Sequence, residues 1–340
     1  RVFKLFRLGE SMSVFKESES YRPFTYGWAI EATQRHSIDM AWDVHNIELQ
    51  DDLRQYNSKD GLKTKNVSHE TNKYIIDMLG CLFTQMDMTV ASGYVQLLPY
   101  IKNNEIRCWL LTAAQREVVH QRSYALLSET FGFSDKDWSR FAEYAEMRDK
   151  IDALISKEVK GRDEFKAAVI LVNILCGEAI GLFGAFTEFL NYKRKGILMG
   201  FNVVNQYSLV DETDHVDRNI MLLSEICKEL TDKENKQLVT IITQTIDNLI
   251  KAEHRFIYLV HAMGEQDDLS TKDLCEYIEY LGERLKWKIG LLQVWNVRNN
   301  PLEWMEWLLT AKRHDSFFET KPTDYVHGGL DGNVSYDRYQ

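Results

Sequence analysis

The sequence predicts an all-α protein, and two observations carry that prediction. Proline is scarce, with 4 residues in 340, and glycine is not abundant at 18, so long helices are seldom interrupted. No stretch alternates apolar and polar residues for long enough to build a sheet. A chain of this length can also bury a substantial core.

The helices are predicted in chain order from turn signals and capping patterns. Asp60 and Gly61 mark a turn in a polar stretch, and Ser68 with Glu70 begins the helical run that ends before Pro99. The predicted helices cover residues 28–41, 68–98, 103–131, 136–156, 162–194, 198–227, 232–263 and 268–297. We interpret residues 1–311 as a single domain, irregular over 1–25, and residues 312–340 as a flexible tail.

Composition excludes several classes of protein. The net charge of −10 argues against a nucleic-acid-binding surface. The five cysteines are scattered without a Cys-x-x-Cys pair, which favours reduced thiols and a cytoplasmic location. The start RVFKLFRLGES is too short and too charged for a signal peptide. Residues 167–190 are long enough to span a membrane, but Asn173, Glu178 and Glu188 interrupt them, so we expect a central helix of a soluble protein and no membrane partner.

The stretch REVVHQRSY, residues 116–124, places three polar groups on one helical face. Glu117, His120 and Tyr124 stand at positions i, i+3 and i+7. Burying such a stripe without partners is costly. A second Glu-x-x-His occurs in DETDH, as Glu212 and His215. A solvated face or a satisfied core group would explain either motif taken alone.

Two single acids complete a regular order. Asp87 lies in CLFTQMDMTV and Glu178 in ILCGEAIGLF, both apolar settings, and each precedes one Glu-x-x-His, by 30 and 34 residues. This order is typical of a dinuclear carboxylate-bridged metal site in a ferritin-like four-helix bundle. Carboxylate oxygens and one imidazole nitrogen per ion suit iron or manganese. The predicted metal ligands are Asp87, Glu117, His120, Glu178, Glu212 and His215.

Tyr124 narrows the choice among dimetal proteins. It lies one helical turn past His120, so its phenol can sit near the metals and lose an electron and a proton. A core tyrosine with a satisfied hydroxyl is the alternative. Iron storage would need a chain of roughly half this length, and a stand-alone oxidase or oxygenase would need a substrate pocket beside the metals.

Four segments together resemble the small, radical-generating subunit of class I ribonucleotide reductase. They are REVVHQRSYALLSET, GEAIGLFGAFTEFLNY, SLVDETDHVDRNIMLL and NNPLEWMEWLL, and the resemblance covers nearly the whole chain. It implies that the six predicted ligands match those of the family and that Tyr124 matches the radical-bearing tyrosine. The resemblance also implies a dinuclear centre, di-iron in the first instance, with dimanganese or manganese–iron as alternatives.

The resemblance further implies a path for electron transfer. Trp42 in MAWDVHNIEL matches the family's tryptophan, and Asp211 matches the acid that joins it to His120. Tyr325 in KPTDYVHGGL matches the tail tyrosine that relays the radical onward. Two departures stand out: the usual Pro-Glu-Glu after the tryptophan is missing, and Asp214 occupies a position that is usually apolar.

The function that the resemblance implies needs a partner. An oxygen-derived oxidant would act at the centre, and the oxidising equivalent would rest on Tyr124 or on the metals. It would then pass to a large catalytic subunit that reduces ribonucleotides to deoxyribonucleotides, with the tail over 312–340 as docking peptide and a homodimer as the assembly. The stand-alone dimetal oxidase or oxygenase remains the alternative.

Overall fold

The structure is a computed structural model that describes residues 13–18, 24–83, 86–154, 159–291 and 299–306. Within these ranges the secondary structure is helical, and the one β-type pairing is an isolated bridge between Gln266 and Leu269. The predicted all-α fold is therefore confirmed. The tail over 312–340, with Tyr325, lies outside the described residues, and so does most of the predicted irregular segment 1–25.

Twelve α-helices are described, three of them adjoining or flanked by short π or 3-10 turns. They are α1 Gly27–Gln34, α2 Gln50–Asn57, α3 His69–Phe83, α4 Met86–Leu97, α5 Asn104–Thr130, α6 Asp135–Glu143, α7 Ala145–Leu154, α8 Asp163–Cys176, α9 Phe183–Arg194, α10 Met199–Glu229, α11 Asp232–Val260 and α12 Thr271–Lys288. A π turn, Arg35–Asp39, extends α1, and a 3-10 turn covers Val44–Asn46.

Four helices form the bundle that positions the site. Helix α4 packs on α5, α8 packs on α10, and the two pairs close on each other through α4 against α8 and α5 against α10. Helices α7, α11 and α12 cover the outside of α8 and of the turn that follows it. Each helix of the bundle thus presents one face to a common interior.

The carboxylate of Asp52 anchors the start of α10. It accepts hydrogen bonds from the backbone nitrogens of Gly200 at 3.1 Å and Phe201 at 2.5 Å, and it is buried. Leu198, just before the helix, adopts a left-handed conformation with φ of 53°. An acid at a helix N-terminus satisfies free backbone N–H groups, and here it aligns the helix that carries Glu212 and His215.

The predicted helix over 162–194 is one apolar run but not one regular α-helix. A π turn, Gly177–Gly181, separates α8 from α9, and Glu178 lies inside it. A π turn widens the helix locally, because its backbone hydrogen bonds span five residues instead of four, and such turns are frequent at functional sites. The predicted helix over 136–156 is also divided, because Tyr144 adopts an extended conformation with φ −90° and ψ 121°.

The run Asp163–Arg194 is long and apolar enough to cross a membrane by length and composition. However, 83% of its most apolar window is buried inside the structure, where it lies against α4, α10 and α11. This burial indicates the core helix of a soluble protein, as the sequence predicts.

Candidate metal centre

The bundle brings all six predicted ligands together in its interior. Each of them is at most 1% exposed. They form two overlapping groups, within each of which the ligand-type atoms lie within 4.8 Å of one another. The first group is Asp87, Glu117, His120 and Glu212, and the second is Glu117, Glu178, Glu212 and His215. Glu117 and Glu212 belong to both groups, which is the arrangement that bridging carboxylates require.

The chemistry of these atoms fits a pair of cations. Buried polar atoms in proteins nearly always have a partner. Among the described residues, nine ligand-type atoms in this cluster have no hydrogen-bond partner outside it. They are both carboxylate oxygens of Asp87, Glu117 and Glu212, the Nδ1 atom of His120, and both ring nitrogens of His215. Four carboxylates would also balance the charge of two divalent ions, so the residues present fit a dinuclear metal centre.

The rings of both histidines turn Nδ1 toward the acids. The Nδ1 atom of His120 lies 3.1 Å from Glu212 Oε1, and that of His215 lies 3.1 Å from Glu117 Oε1. On the opposite side of its ring, His120 Nε2 lies 3.0 Å from Asp211 Oδ2. A carboxylate behind a histidine fixes the orientation of the ring and raises its basicity toward a metal.

Asp211 is the point where three side chains meet. Its Oδ2 accepts hydrogen bonds from Trp42 Nε1 at 3.0 Å and Arg116 Nη2 at 2.7 Å, besides its contact with His120. The Trp42 ring stacks on the His120 ring, with centroids 5.8 Å apart and planes at 13°. Burial opposes the charge of Asp211, but Arg116 and His120 outweigh it and hold its pKa well below the usual range.

Tyr124 is buried on the same face of α5 as Glu117 and His120, with its ring 6.1 Å from that of Phe201. Burial, followed by the charge of Asp87, raises the pKa of Tyr124 well above its ordinary value. The phenol therefore keeps its proton at neutral pH, which a hydrogen-atom donor requires.

Without metal ions, protons balance part of the negative charge of the clustered carboxylates. Burial raises the pKa of Asp87 well above its ordinary value and that of Glu178 to about 7. Burial disfavours the charged form of His215 too, but Glu178 and Glu117 outweigh it and raise the pKa of His215 well above the usual range. Protons thus neutralise part of the cluster, and cations would displace them on binding.

Several residues of the site escaped the sequence reasoning. Asp214, the departure noted inside the second Glu-x-x-His, has His36 as a partner, with Nε2 and Oδ2 2.8 Å apart. Arg116, one residue before Glu117, is 2% exposed and supplies the cation of Asp211. Arg116 begins the stretch REVVHQRSY, but its spacing there does not indicate its partner. Only the packing of α1 and α5 on α10 shows the partners of His36 and Arg116.

Tyr94 and Asn219 were also missed, although their spacing was a usable signal. Tyr94 follows Asp87 by seven residues, and Asn219 follows His215 by four, so each shares a helical face with a predicted ligand. Both hydrogen-bond to Glu178.

A comparison with known protein families identifies the family of this chain. Residues 18–301 match the family model described as ribonucleotide reductase, small chain. The chain belongs to this family. As a small chain of ribonucleotide reductase it is part of an oxidoreductase, and the function predicted from the sequence is confirmed at that level.

Relatives of the small chain are found in viruses and in cellular organisms. The probable ribonucleoside-diphosphate reductase small subunit 048L of Invertebrate iridescent virus 3 is 28% identical over 342 residues, covering 95% of this chain and 88% of the relative. The ribonucleoside-diphosphate reductase subunit beta of Chlamydia pneumoniae is 23% identical and covers 90% of each chain.

Solved structures share the fold of this small chain. A putative class I ribonucleotide reductase from Bacillus halodurans superimposes with a TM-score of 0.72 at 15% identity, covering 83% of this chain and all of that one. The dimanganese(II)-NrdF of Streptococcus sanguinis gives a TM-score of 0.69 at 13% identity, covering 84% and 96%. At these identities the likeness concerns the helical fold alone, which agrees with the predicted bundle.

Proposed function

We propose that the six clustered residues of this small chain bind two metal ions and that Tyr124 stores the oxidising equivalent used for ribonucleotide reduction. The observation that carries the proposal is the convergence of nine ligand-type atoms that lack any partner outside their own cluster. Tyr124 lies on the same helical face, one turn beyond His120. Once bound and oxidised by an oxygen-derived oxidant, the metal pair would supply an oxidising equivalent that a neighbouring phenol can hold.

The surroundings of Tyr124 support storage of a radical. Phe201 lies beside the phenol, and Leu182, which precedes α9, and Phe186 in α9 belong to the same buried apolar core as Tyr124. Apolar side chains keep water and reductants from the interior. A di-iron centre is our first expectation, with dimanganese and manganese–iron as alternatives, since the donor set suits all three.

The contacts of Asp211 support a route by which the oxidising equivalent passes from the centre toward the surface, as an electron moves the opposite way. We propose that it runs from His120 through Asp211 to Trp42, three side chains joined by hydrogen bonds of 3.0 Å. Trp42 is half-buried, and its ring lies against His120 and Arg116 of α5 and Tyr207 of α10. Tyr325 would continue the route in the tail over 312–340, which we propose docks on the large catalytic subunit.

Membership of this family supports a proposal for the assembly and location of the small chain. We propose a cytoplasmic homodimer that binds a large subunit and neither nucleic acid nor membrane. The net charge of −10 and the burial of Asp163–Arg194 support the last two points.

Electron paramagnetic resonance on the activated full chain tests the role of Tyr124. With iron or manganese loaded and the large subunit present, we expect a tyrosyl signal and reductase activity in the wild type. Tyr124→Phe should lose both, down to background, while binding the same amount of metal. A tyrosyl signal that persists in Tyr124→Phe would contradict the proposal, and a signal confined to the metals in the wild type would move storage to the centre.

Metal analysis tests the ligand set separately from the radical. Because Glu117 offers a ligand atom to both groups and His215 offers its ring nitrogen to one only, Glu117→Ala should abolish tight binding of both ions. His215→Ala should retain about one ion per chain. Both variants are dialysed with manganese and measured by atomic absorption, with His254→Ala, a half-buried histidine on α11 remote from the six, as control. Equal metal content in all three would refute the assignment.

A further inference from the structure

Glu178 differs from the other acids of the centre in its hydrogen bonds. The carboxylate oxygens of Asp87, Glu117 and Glu212 have no hydrogen-bond partner outside the cluster. Both oxygens of Glu178 have one. Tyr94 donates its hydroxyl to Oε1 at 2.5 Å, and Asn219 donates its amide to Oε2 at 2.7 Å.

The three side chains close a triangle. Asn219 Nδ2 also donates to the hydroxyl oxygen of Tyr94 at 2.7 Å, so each amide hydrogen has its own acceptor. Glu178 and Asn219 are fully buried and Tyr94 is 1% exposed. Turning the carboxylate would leave buried donors unsatisfied, at a cost of about 1–3 kcal/mol for each. These hydrogen bonds therefore fix the orientation of the Glu178 carboxylate, whereas the other three acids have no such donor outside the cluster.

The position of Glu178 in the chain explains why it needs such support. It lies in the π turn Gly177–Gly181, where the helix is widened and its hydrogen-bond ladder is irregular. Tyr94 comes from α4 and Asn219 from α10, the two neighbours of α8 in the bundle. Two helices that carry ligands of their own thus each provide a further residue that hydrogen-bonds to Glu178.

Glu178 also belongs to one metal group only. It joins His215 in the second group, together with the shared Glu117 and Glu212, and is absent from the group that contains Asp87 and His120. A carboxylate oxygen that accepts one hydrogen bond keeps another lone pair for a metal. Its oxygen Oε1 lies 3.2 Å from His215 Nδ1, on the side of the second group.

We propose that Tyr94 and Asn219 are positioning residues that hold Glu178 as a terminal ligand of one ion, and so set the affinity of the second metal position independently of the first. This inference rests on the proposed function, since it needs the six residues to bind metal. Partners behind a ligand typically change metal affinity by about 10–100-fold when they are lost. Here the effect falls on one of the two ions.

Manganese binding to the metal-free full chain tests the proposal. Free Mn²⁺ is followed by electron paramagnetic resonance during titration, with equilibrium dialysis as a second measure. We expect Tyr94→Phe to bind one ion as the wild type does and the other about 10–100-fold more weakly. At two equivalents, the variant should show the spectrum of an isolated Mn²⁺ ion, where the wild type shows a coupled pair.

A matched control removes the hydroxyl of a different buried tyrosine. Tyr192 is a buried tyrosine whose hydroxyl donates to Asn72 Oδ1 at 3.1 Å, away from the six ligands. Tyr192→Phe should bind both ions with the wild-type affinities. Asn219→Ala provides a second, independent test of the triangle and should weaken the same single ion. Thermal unfolding of each metal-free variant identifies any that do not fold.

The outcomes separate this inference from the proposed function. Wild-type affinity for both ions in folded Tyr94→Phe and Asn219→Ala would overturn the role of the triangle. Equal weakening of both ions would also overturn it, because the effect would then not act through Glu178. If the wild type itself binds no manganese, iron or cobalt tightly, the proposed metal centre fails first.

Discussion

Asp211→Ala is expected to lower the free energy of unfolding by about 3–5 kcal/mol, because it leaves a buried guanidinium without its carboxylate. The side chains of Arg116 and Asp211 are 3% and 0% exposed, and their closest N–O distance is 2.7 Å. The change also removes the acceptor of Trp42 Nε1. Urea unfolding of the metal-free protein, followed by circular dichroism, measures the effect without any contribution from metal binding.

A double variant shows whether the uncompensated charge is the cause. Arg116→Met combined with Asp211→Asn removes both charges at similar side-chain size and should recover most of the lost stability. Asn can still accept a hydrogen bond from Trp42. Trp42→Phe, which removes that bond but keeps an aromatic ring against His120, serves as its control and should cost about 1 kcal/mol for the bond. A double variant as unstable as Asp211→Ala would show that the ion pair is not what matters.

Lys150→Ala is expected to be comparably destabilising, at an ion pair that includes none of the predicted ligands. Lys150 on α7 and Glu253 on α11 are both fully buried, with Nζ and Oε1 2.7 Å apart. Nζ also lies 4.2 Å from the centre of the Phe256 ring. Loss of the lysine strands a carboxylate in an apolar interior, for which we expect a loss of about 3–5 kcal/mol at pH 8.

This second effect should depend on pH. Burial raises the pKa of Glu253 to about 7 even though Lys150 lowers it, so removal of the lysine raises it further. The folded state then binds a proton that the unfolded state, with an ordinary carboxyl pKa, releases at lower pH. The stability of Lys150→Ala should therefore fall as pH rises from about 5 to 8, more steeply than that of the wild type.

The matched comparison replaces both charges. Lys150→Met with Glu253→Leu should be close to the wild type or more stable, and its stability should lose the extra dependence on pH. Gly184 leaves room beside this pair, since a Cβ there would lie 3.1 Å from Glu253 Oε2. A pH-independent loss in Lys150→Ala would point to a packing defect instead of a stranded charge.

Much of the centre could be predicted from the sequence because its ligands come from regular helices. On a helix, spacing determines the face, so Glu117 with His120 and Glu212 with His215 are recognisable as pairs without any structure. Asp87 and Glu178 are acids within apolar helical segments. Such positions are expected to be buried, and because a buried acid needs a partner, both residues stand out in the sequence. The long apolar run around Glu178 was recognisable as a core helix for the same reason.

The irregular elements were not predictable in this way. Nothing in the sequence GEAIG distinguishes a π turn from an α-helix. The stability of the π turn depends on the side chains of other helices that contact Glu178. The break at Tyr144 likewise interrupts a segment whose composition suits a continuous helix. Such departures are decided by packing between helices, which local propensity does not describe.

The sequence by itself determined the all-α class, the bundle and the set of acids and histidines. The reason is that the spacing of apolar and polar residues along the chain predicts both the helices and the faces that they bury. Only the tertiary structure decided how these groups are held: Arg116 and Trp42 on Asp211, Tyr94 and Asn219 on Glu178. The physical reason is that a hydrogen bond between side chains of different helices depends on their relative position to within a few tenths of an ångström. Spacing along one helix contains no information about that position.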